Sequence, residues 1–370
     1  MMGITRRQFL RKTVALGLGA AGAGALLSTG GCGPGEATPA PTAETGLEGV
    51  TRTPVPPTAT ATAQVASPTA TALVADPTAT AQVASPTATA QVAGPTATAP
   101  GSGQAYLAAV HGTDPAAITQ RAIAALGGIE RFVRPGDEVI VKPNICVAYH
   151  TPEYAATTNP QVVAAVVSLC LGAGAKRVRV MDSPFGGTAE EAYKISGIEE
   201  AVKAAGGEME LMSSFKYGQA AIPQGKDIRE WTVFQDALKA VLIDVPIAKH
   251  HSMARLTLGT KNLMGLIEDR GSIHRNMGQR LADLSSLFRP ALTVVDAVRI
   301  LMDNGPTGGD LNDVKQTDLV IASHDLVAAD AYATRLFGLQ PEDISYIGAS
   351  ARMGLGTMDL TGVQVEEISL

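Results

Sequence analysis

Aromatic residues are scarce in this chain, making up 4% of its 370 positions with a lone tryptophan. Cysteine is scarcer still: Cys32, Cys146 and Cys170 are the whole complement. Three thiols cannot make a disulfide framework. The two in the C-terminal part cannot supply the usual four thiolates of an iron–sulfur cluster, so no such cluster is expected from this chain. Cys170 falls in an apolar helical run and reads as a buried, inert thiol. A positive charge balance is missing as well, the formal net charge being −6. Lysines and arginines are scattered without a basic stripe, and few aromatics are present to stack bases, so nucleic acid is not an expected partner. Catalytic signatures are also lacking. No G-x-G-x-x-G follows a strand, and neither H-E-x-x-H nor G-x-S-x-G occurs. The loop Asn304-Gly305-Pro306-Thr307-Gly308-Gly309-Asp310 can present backbone amides to an anion, yet no Gly-Lys-Ser/Thr closes it. Standard nucleotide, zinc-protease and serine-hydrolase readings therefore have no support.

What is present first is an export signal. Residues 1–32 carry Thr5-Arg6-Arg7-Gln8-Phe9-Leu10-Arg11-Lys12, then an uncharged Ala/Gly/Leu stretch from Val14 to Leu27. A charged start before a short apolar run is a removable targeting segment, too short for a membrane span of ~20 apolar residues. The paired arginines before Phe-Leu resemble the twin-arginine motif, which implies passage through the twin-arginine translocase in a folded state. Leu27-Ser28-Thr29-Gly30-Gly31-Cys32 resembles a lipoprotein cleavage box, with Thr29 standing where an aliphatic residue is usual. Acylation of Cys32 is preferred over simple cleavage. It would anchor the chain to a membrane at the cell envelope or extracellular face.

From residue 33 to 103 proline, threonine, alanine and serine dominate, aromatics are absent, and a VASPTATAQ-like unit recurs with Pro68, Pro77, Pro86 and Pro95. No unit has a face worth burying. Burial therefore cannot offset an ordering entropy of ~1–2 kcal/mol per residue, and a disordered, extended linker is expected.

Residues 104–370 alternate strand-like and helix-like segments. Strands are expected at Glu138–Val141, Arg177–Met181, Val241–Ile247, Ala291–Val295 and Asp318–Ala322. Helices are expected at Pro115–Leu126, Pro160–Leu171, Ile198–Ala205, Leu256–Ile267 and Leu326–Phe337. Asp114 and Asn159 precede Pro115 and Pro160 as helix caps do. Apolar strands separated by helices predict an α/β fold: one globular domain with a mostly parallel sheet and helices on both faces.

The residues after each strand carry the chemistry. They are Lys142 and Asn144, Asp182, Lys249 and His250, Asp296, and His324 with Asp325. In an open parallel sheet these ends share the edge where ligands bind, so they are expected to line one crevice. If Leu256–Ile267 is a helix, Thr257, Lys261 and Gly265 share one face, and the glycine permits close approach of a ligand or another backbone. His274, in Ser272-Ile273-His274-Arg275, is a candidate general acid or base.

At these motifs the chain resembles the domain-of-unknown-function family numbered 362. The resemblance is carried by Val141-Lys142-Pro143-Asn144, Thr157-Thr158-Asn159-Pro160, Gly172-Ala173-Gly174-Ala175, Val180-Met181-Asp182-Ser183, Lys249-His250 and Lys261-Asn262-Leu263-Met264-Gly265. It covers nearly all of residues 104–370 and implies no established activity. Some members look to be fused to ferredoxin-type modules, which implies redox company; this chain lacks the cysteines for such a module.

Two functions remain open on the sequence. In one, the domain is an enzyme for a small anionic substrate. Lys142, Asn144, Lys249, Asn262 and Asp296 hold the ligand, His250 or His274 moves a proton, and Lys261, depressed by neighbouring lysines, is a base or nucleophile. Asp182 with Asp296 orients the proton carrier or holds a divalent metal through oxygen. In the other, a tethered receptor captures the anion without chemistry, and the histidines are dispensable.

Overall fold

The computed structural model describes residues 106–370. The expectations for residues 1–32, Cys32 included, and for the linker at 33–103 fall outside the described residues. Within them run β1 (Leu107–His111), β2 (Glu138–Pro143), β3 (Arg177–Val180), β4 (Glu208–Met209), β5 (Tyr217–Ala221) and β6 (Glu230–Phe234). Then follow β7 (Val241–Val245), β8 (Ile247–His251), β9 (Arg255–Thr257), β10 (Leu292–Leu301), β11 (Val314–Ser323) and β12 (Val365–Ser369). The main sheet has the order β12-β1-β11-β10-β7-β2-β3-β4, with β8 against β10 and β9 against β8, while β5 and β6 form a separate hairpin.

Side chains alternate across the strands, and each face buries its own core. Ala108, Val110, Val139, Val141, Ile243 and Val294 pack with the helices Pro115–Ala125, Pro160–Gly172 and Ile198–Ala204. Leu107, Ala109, Ile140, Leu242, Val295 and Ile321 pack with Met277–Phe288, Leu326–Ala333 and Ser345–Arg352 on the opposite face. This is the expected α/β architecture, a mostly parallel sheet covered on both sides. The caps are as read: the Asp114 carboxylate accepts from the amides of Ala116 and Ala117, and the Asn159 side chain accepts from the Gln161 amide.

Three local readings are corrected. The segment 241–247 is two strands, because Pro246 has no N–H for a ladder and ends β7; β8 then shifts to pair with β10. The segment 256–267 is not one helix. Leu256 and Thr257 pair across from His250 and Lys249 in the β8–β9 hairpin, and only Gly259–Asn262 and a tighter turn at Leu263–Leu266 are helical. Strand pairing overrides helical periodicity there. Finally, β11 runs antiparallel to both β10 and β1. Its C-terminal end, with His324 and Asp325, lies at the edge opposite that of β2, β3 and β7. Asp325 caps the helix Leu326–Ala333 and accepts from the Tyr106 hydroxyl, so it is not part of the crevice.

Candidate functional site

Lys142 and Asp244 are neighbours in the β2–β7 register, at the C-terminal ends of two central strands. Each shares its sheet face with the residue two before it, Ile140 and Leu242. Lys142 is fully buried, and all three of its N–H groups are used: on Asp182 Oδ1 (2.8 Å), the Pro143 carbonyl (2.8 Å) and Asn262 Oδ1 (3.1 Å). Asn262 Oδ1 also accepts from Asn144 Nδ2 (2.9 Å), while Asn262 Nδ2 donates to the Lys142 carbonyl (3.1 Å) and Asp244 Oδ1 (2.8 Å). Asn144 Oδ1 accepts from Lys249 Nζ (2.9 Å), whose other two donors go to the carbonyls of Ala156 (2.6 Å) and Pro306 (2.9 Å).

Asp182, Lys142, Asn262, Asn144 and Lys249 thus form one buried hydrogen-bonded chain contributed by four separate segments. Each asparagine thus orients a lysine distant in sequence: Asn262, next to Lys261, holds Lys142, and Asn144, two residues after Lys142, holds Lys249. Gly265 is required by the same packing, since a Cβ there would lie 2.1 Å from Asp182 Oδ1 and 2.7 Å from Lys142 Nζ. The close approach anticipated at this glycine is to that ion pair.

Lys261 differs from the other two lysines. It is 9% exposed, and among the described residues its ammonium makes no hydrogen bond or ion pair. Nor is Nζ among the fully enclosed polar atoms that lack a partner, so its residual exposure includes the ammonium. Its neighbours are fixed: the amides of Gly259 and Thr260 are held by Asp330 (2.7 and 2.9 Å), and Asn262 is locked as described. Burial, and then the charges of Lys249, Arg270 and Lys142, push the Lys261 amine down to about 8, against an opposing pull from Cys146. Burial also lowers Lys249, but its three acceptors hold the proton in place.

Two residues that border Lys261 were not singled out from the sequence. His251 is buried beside Lys261 and Lys249, and burial together with those cations pushes it down to about 3. Its Nδ1 accepts from the amides of Met253 and Ala254, which places the ring proton on Nε2. The signal was available: in a strand Lys249 and His251 share a face and His250 takes the other. His250 Nδ1 accordingly accepts from the Gly305 amide (3.0 Å) and lies 3.8 Å from Asp303. The second is Arg270, which donates to the carbonyls of Ser183 (2.8 Å) and Pro184 (3.1 Å) and tethers the loop after β3. His274 is half-buried, with Nδ1 3.1 Å from the Gly271 carbonyl, so that nitrogen carries a hydrogen.

Asp296 stands apart from the chain. It sits within β10 rather than at its end, on the face of Val294 and Val298. Its carboxylate accepts from the amides of Asn159 (2.7 Å) and Val298 (3.0 Å), and burial pushes it up to about 6. Asp182 in turn is occupied by Lys142 and by the amides of Ile145 (2.6 Å) and Ser183 (2.8 Å). The two carboxylates do not converge as a metal pair. Among the described residues no group of three or more His, Cys, Asp or Glu side chains is arranged to hold a metal ion.

Asp244 balances none of the cations. Burial drives its carboxyl well above the usual range, against the pull of Lys142 and Asn262 and helped by Asp330, and its Oδ2 has no partner. A carboxyl raised on folding lowers stability as pH rises from its unfolded value, about 4, toward its folded one, at ~1.4 kcal/mol per pH unit. Asp244→Asn mimics the protonated form. Its stability in urea should therefore gain on wild type as pH rises above about 4. A difference that stays constant with pH would mean that Asp244 is ionised in the folded protein.

Residues 139–335 match the family described as domain of unknown function DUF362. The chain belongs to this family. The matched span includes every member of the buried chain, together with Lys261, His251 and Arg270. A thylakoid-associated protein of Synechocystis sp. is 30% identical over 241 residues, covering 62% of this chain and 72% of that protein. A solved structure from Thermotoga maritima covers 62% of this chain and 60% of its own, at 13% identity and a TM-score of 0.34. Among the described residues, no helix is long and apolar enough to cross a membrane.

Proposed function

We propose that the domain is an enzyme for a small anionic substrate, exported by the twin-arginine route and held at the envelope surface by a lipid on Cys32. The observation that carries the catalytic part is the contrast among the lysines. Lys142 and Lys249 have all their donors occupied and contribute charge and rigidity. Lys261 is pinned on both sides and, among the described residues, makes no hydrogen bond or ion pair, which leaves its ammonium for a ligand. The charges around it are Lys249 and Arg270; the Lys142 charge is met by Asp182, and burial favours the neutral form of Asp244. A cationic setting selects anions, and an amine near neutrality can move a proton or attack carbon. Capture without chemistry would be served better by a fully protonated lysine.

The relative's thylakoid association supports a membrane-proximal setting, as does the Cys32 segment. Calorimetric titration of the full-length chain with phosphate, lactate and malonate at low salt tests the site. Binding that weakens with salt, and roughly tenfold or more in Lys261→Ala, is expected. Absence of binding, or affinity unaltered in the variant, would remove the reading. Cys32→Ser should release the chain from the membrane fraction; retention there would overturn the anchor.

A further inference from the structure

We infer that Lys261 is a Schiff-base-forming amine, and that the substrate is a small carboxylate bearing an adjacent aldehyde or ketone, such as a 2-oxo acid. This rests on the anionic reading of the crevice and narrows it.

The geometry favours covalent attack by this lysine over the other two. A nitrogen that donates three hydrogen bonds has no lone pair to offer, and Lys142 and Lys249 are in that state. Lys261 Nζ donates none. Its backbone cannot retreat, because the Asp330 carboxylate holds Gly259 and Thr260 from one side and the Asn262 side chain is locked from the other. Gly259 itself tolerates no side chain: a Cβ would lie 2.4 Å from Leu326 Cδ1. The lysine is thus presented on a rigid element, as a covalent catalyst requires.

Its surroundings also suit this chemistry. With the amine at about 8, about a tenth of the molecules carry the neutral nucleophile at pH 7, against fewer than about one in a thousand for an ordinary lysine. The neutral amine adds to the carbonyl carbon, and both its hydrogens leave with the carbonyl oxygen as water, giving the C=N bond. Protonation of that nitrogen from solvent gives the iminium ion. In a recess bordered by Lys249 and Arg270 an iminium would be disfavoured unless the ligand brought negative charge, which a carboxylate next to the carbonyl supplies. His251, on the same strand face as Lys249, keeps its hydrogen on Nε2 and can offer it to the departing oxygen.

The test is reductive trapping on the full-length chain. Pyruvate is added with sodium cyanoborohydride at neutral pH, and the modified lysine is located by peptide mass spectrometry. The expected result is one reduced pyruvyl adduct, confined to Lys261, suppressed by excess lactate and absent from Lys261→Arg. Scattered modification of exposed lysines with Lys261 untouched would overturn the inference. Calorimetry with lactate separates the two levels. If lactate binds in a Lys261-dependent manner and no adduct forms, the carbonyl assignment fails while the anion site stands. If lactate and pyruvate neither bind nor react, both fail.

Discussion

Replacing Lys261 by methionine should make the protein more stable, by up to about 3 kcal/mol at pH 7, while weakening anion binding roughly tenfold or more. The amine is lowered from 10.5 to about 8, and every tenfold loss of proton affinity corresponds to about 1.4 kcal/mol. The cause is burial without a partner, reinforced by like charge. Methionine has a similar length and no charge to desolvate. The sign follows from proton counts. Below pH 8 the lysine is protonated in both states, and the folded state carries the whole penalty. Between 8 and 10.5 only the unfolded chain keeps the proton, so wild-type stability rises with pH and the variant's advantage fades. Chemical denaturation at pH 7 and pH 9.5 measures both. A residue retained at a cost to stability is the pattern of a functional site. If Lys261→Met instead lost stability at pH 7, the lysine would have an internal partner and a structural role.

The opposite result is expected for Asp182→Ala. Its partner Lys142 has no exposed surface, and removing one member of a buried pair costs ~3–5 kcal/mol, because a charge is left without compensation. The amides of Ile145 and Ser183 lose their acceptor in the same change. The loss belongs mostly to the stranded ammonium, so Asp182→Ala combined with Lys142→Met should regain much of it. Urea denaturation of the two single variants and the double variant gives the coupling directly. Additive effects would show that Lys142 does not depend on Asp182. Should the Asp182 variant fail to accumulate, recovery of soluble protein in the double variant reads the same coupling.

These two outcomes separate two kinds of lysine that the sequence presents alike. Lys142 and Lys261 each stand one or two residues before an asparagine, Lys249 stands before two histidines, and the sequence reading gives all three a role in binding or catalysis. Which of them has free donors depends on the carbonyls of Ala156 and Pro306, 93 and 57 residues from Lys249, and on Asn262, 120 residues from Lys142. A polar side chain is free or occupied only by virtue of what the fold brings to it.

What the sequence determined by itself was local. Proline at the first helical turn after Asp114 and Asn159, and runs such as Val139–Val141, specify caps and strands because φ restriction and side-chain period act within a few residues. The alternation of such elements was enough for a mostly parallel α/β sheet, and for bringing Lys142, Asp182, Asn144 and Lys249 together at one sheet edge. The tertiary structure decided the rest. Nothing local announces that β11 runs antiparallel and carries Asp325 to the far edge, or that Asp296 turns toward the helix Pro160–Gly172. Leu256–Ile267 has helical periodicity, yet hairpin pairing with Lys249 and His250 takes its first residues, since cross-strand hydrogen bonds and burial outweigh a weak propensity. The lowered basicity of Lys261 is likewise tertiary: it comes from burial and from Lys249, Arg270 and Lys142, which no spacing along the chain would reveal.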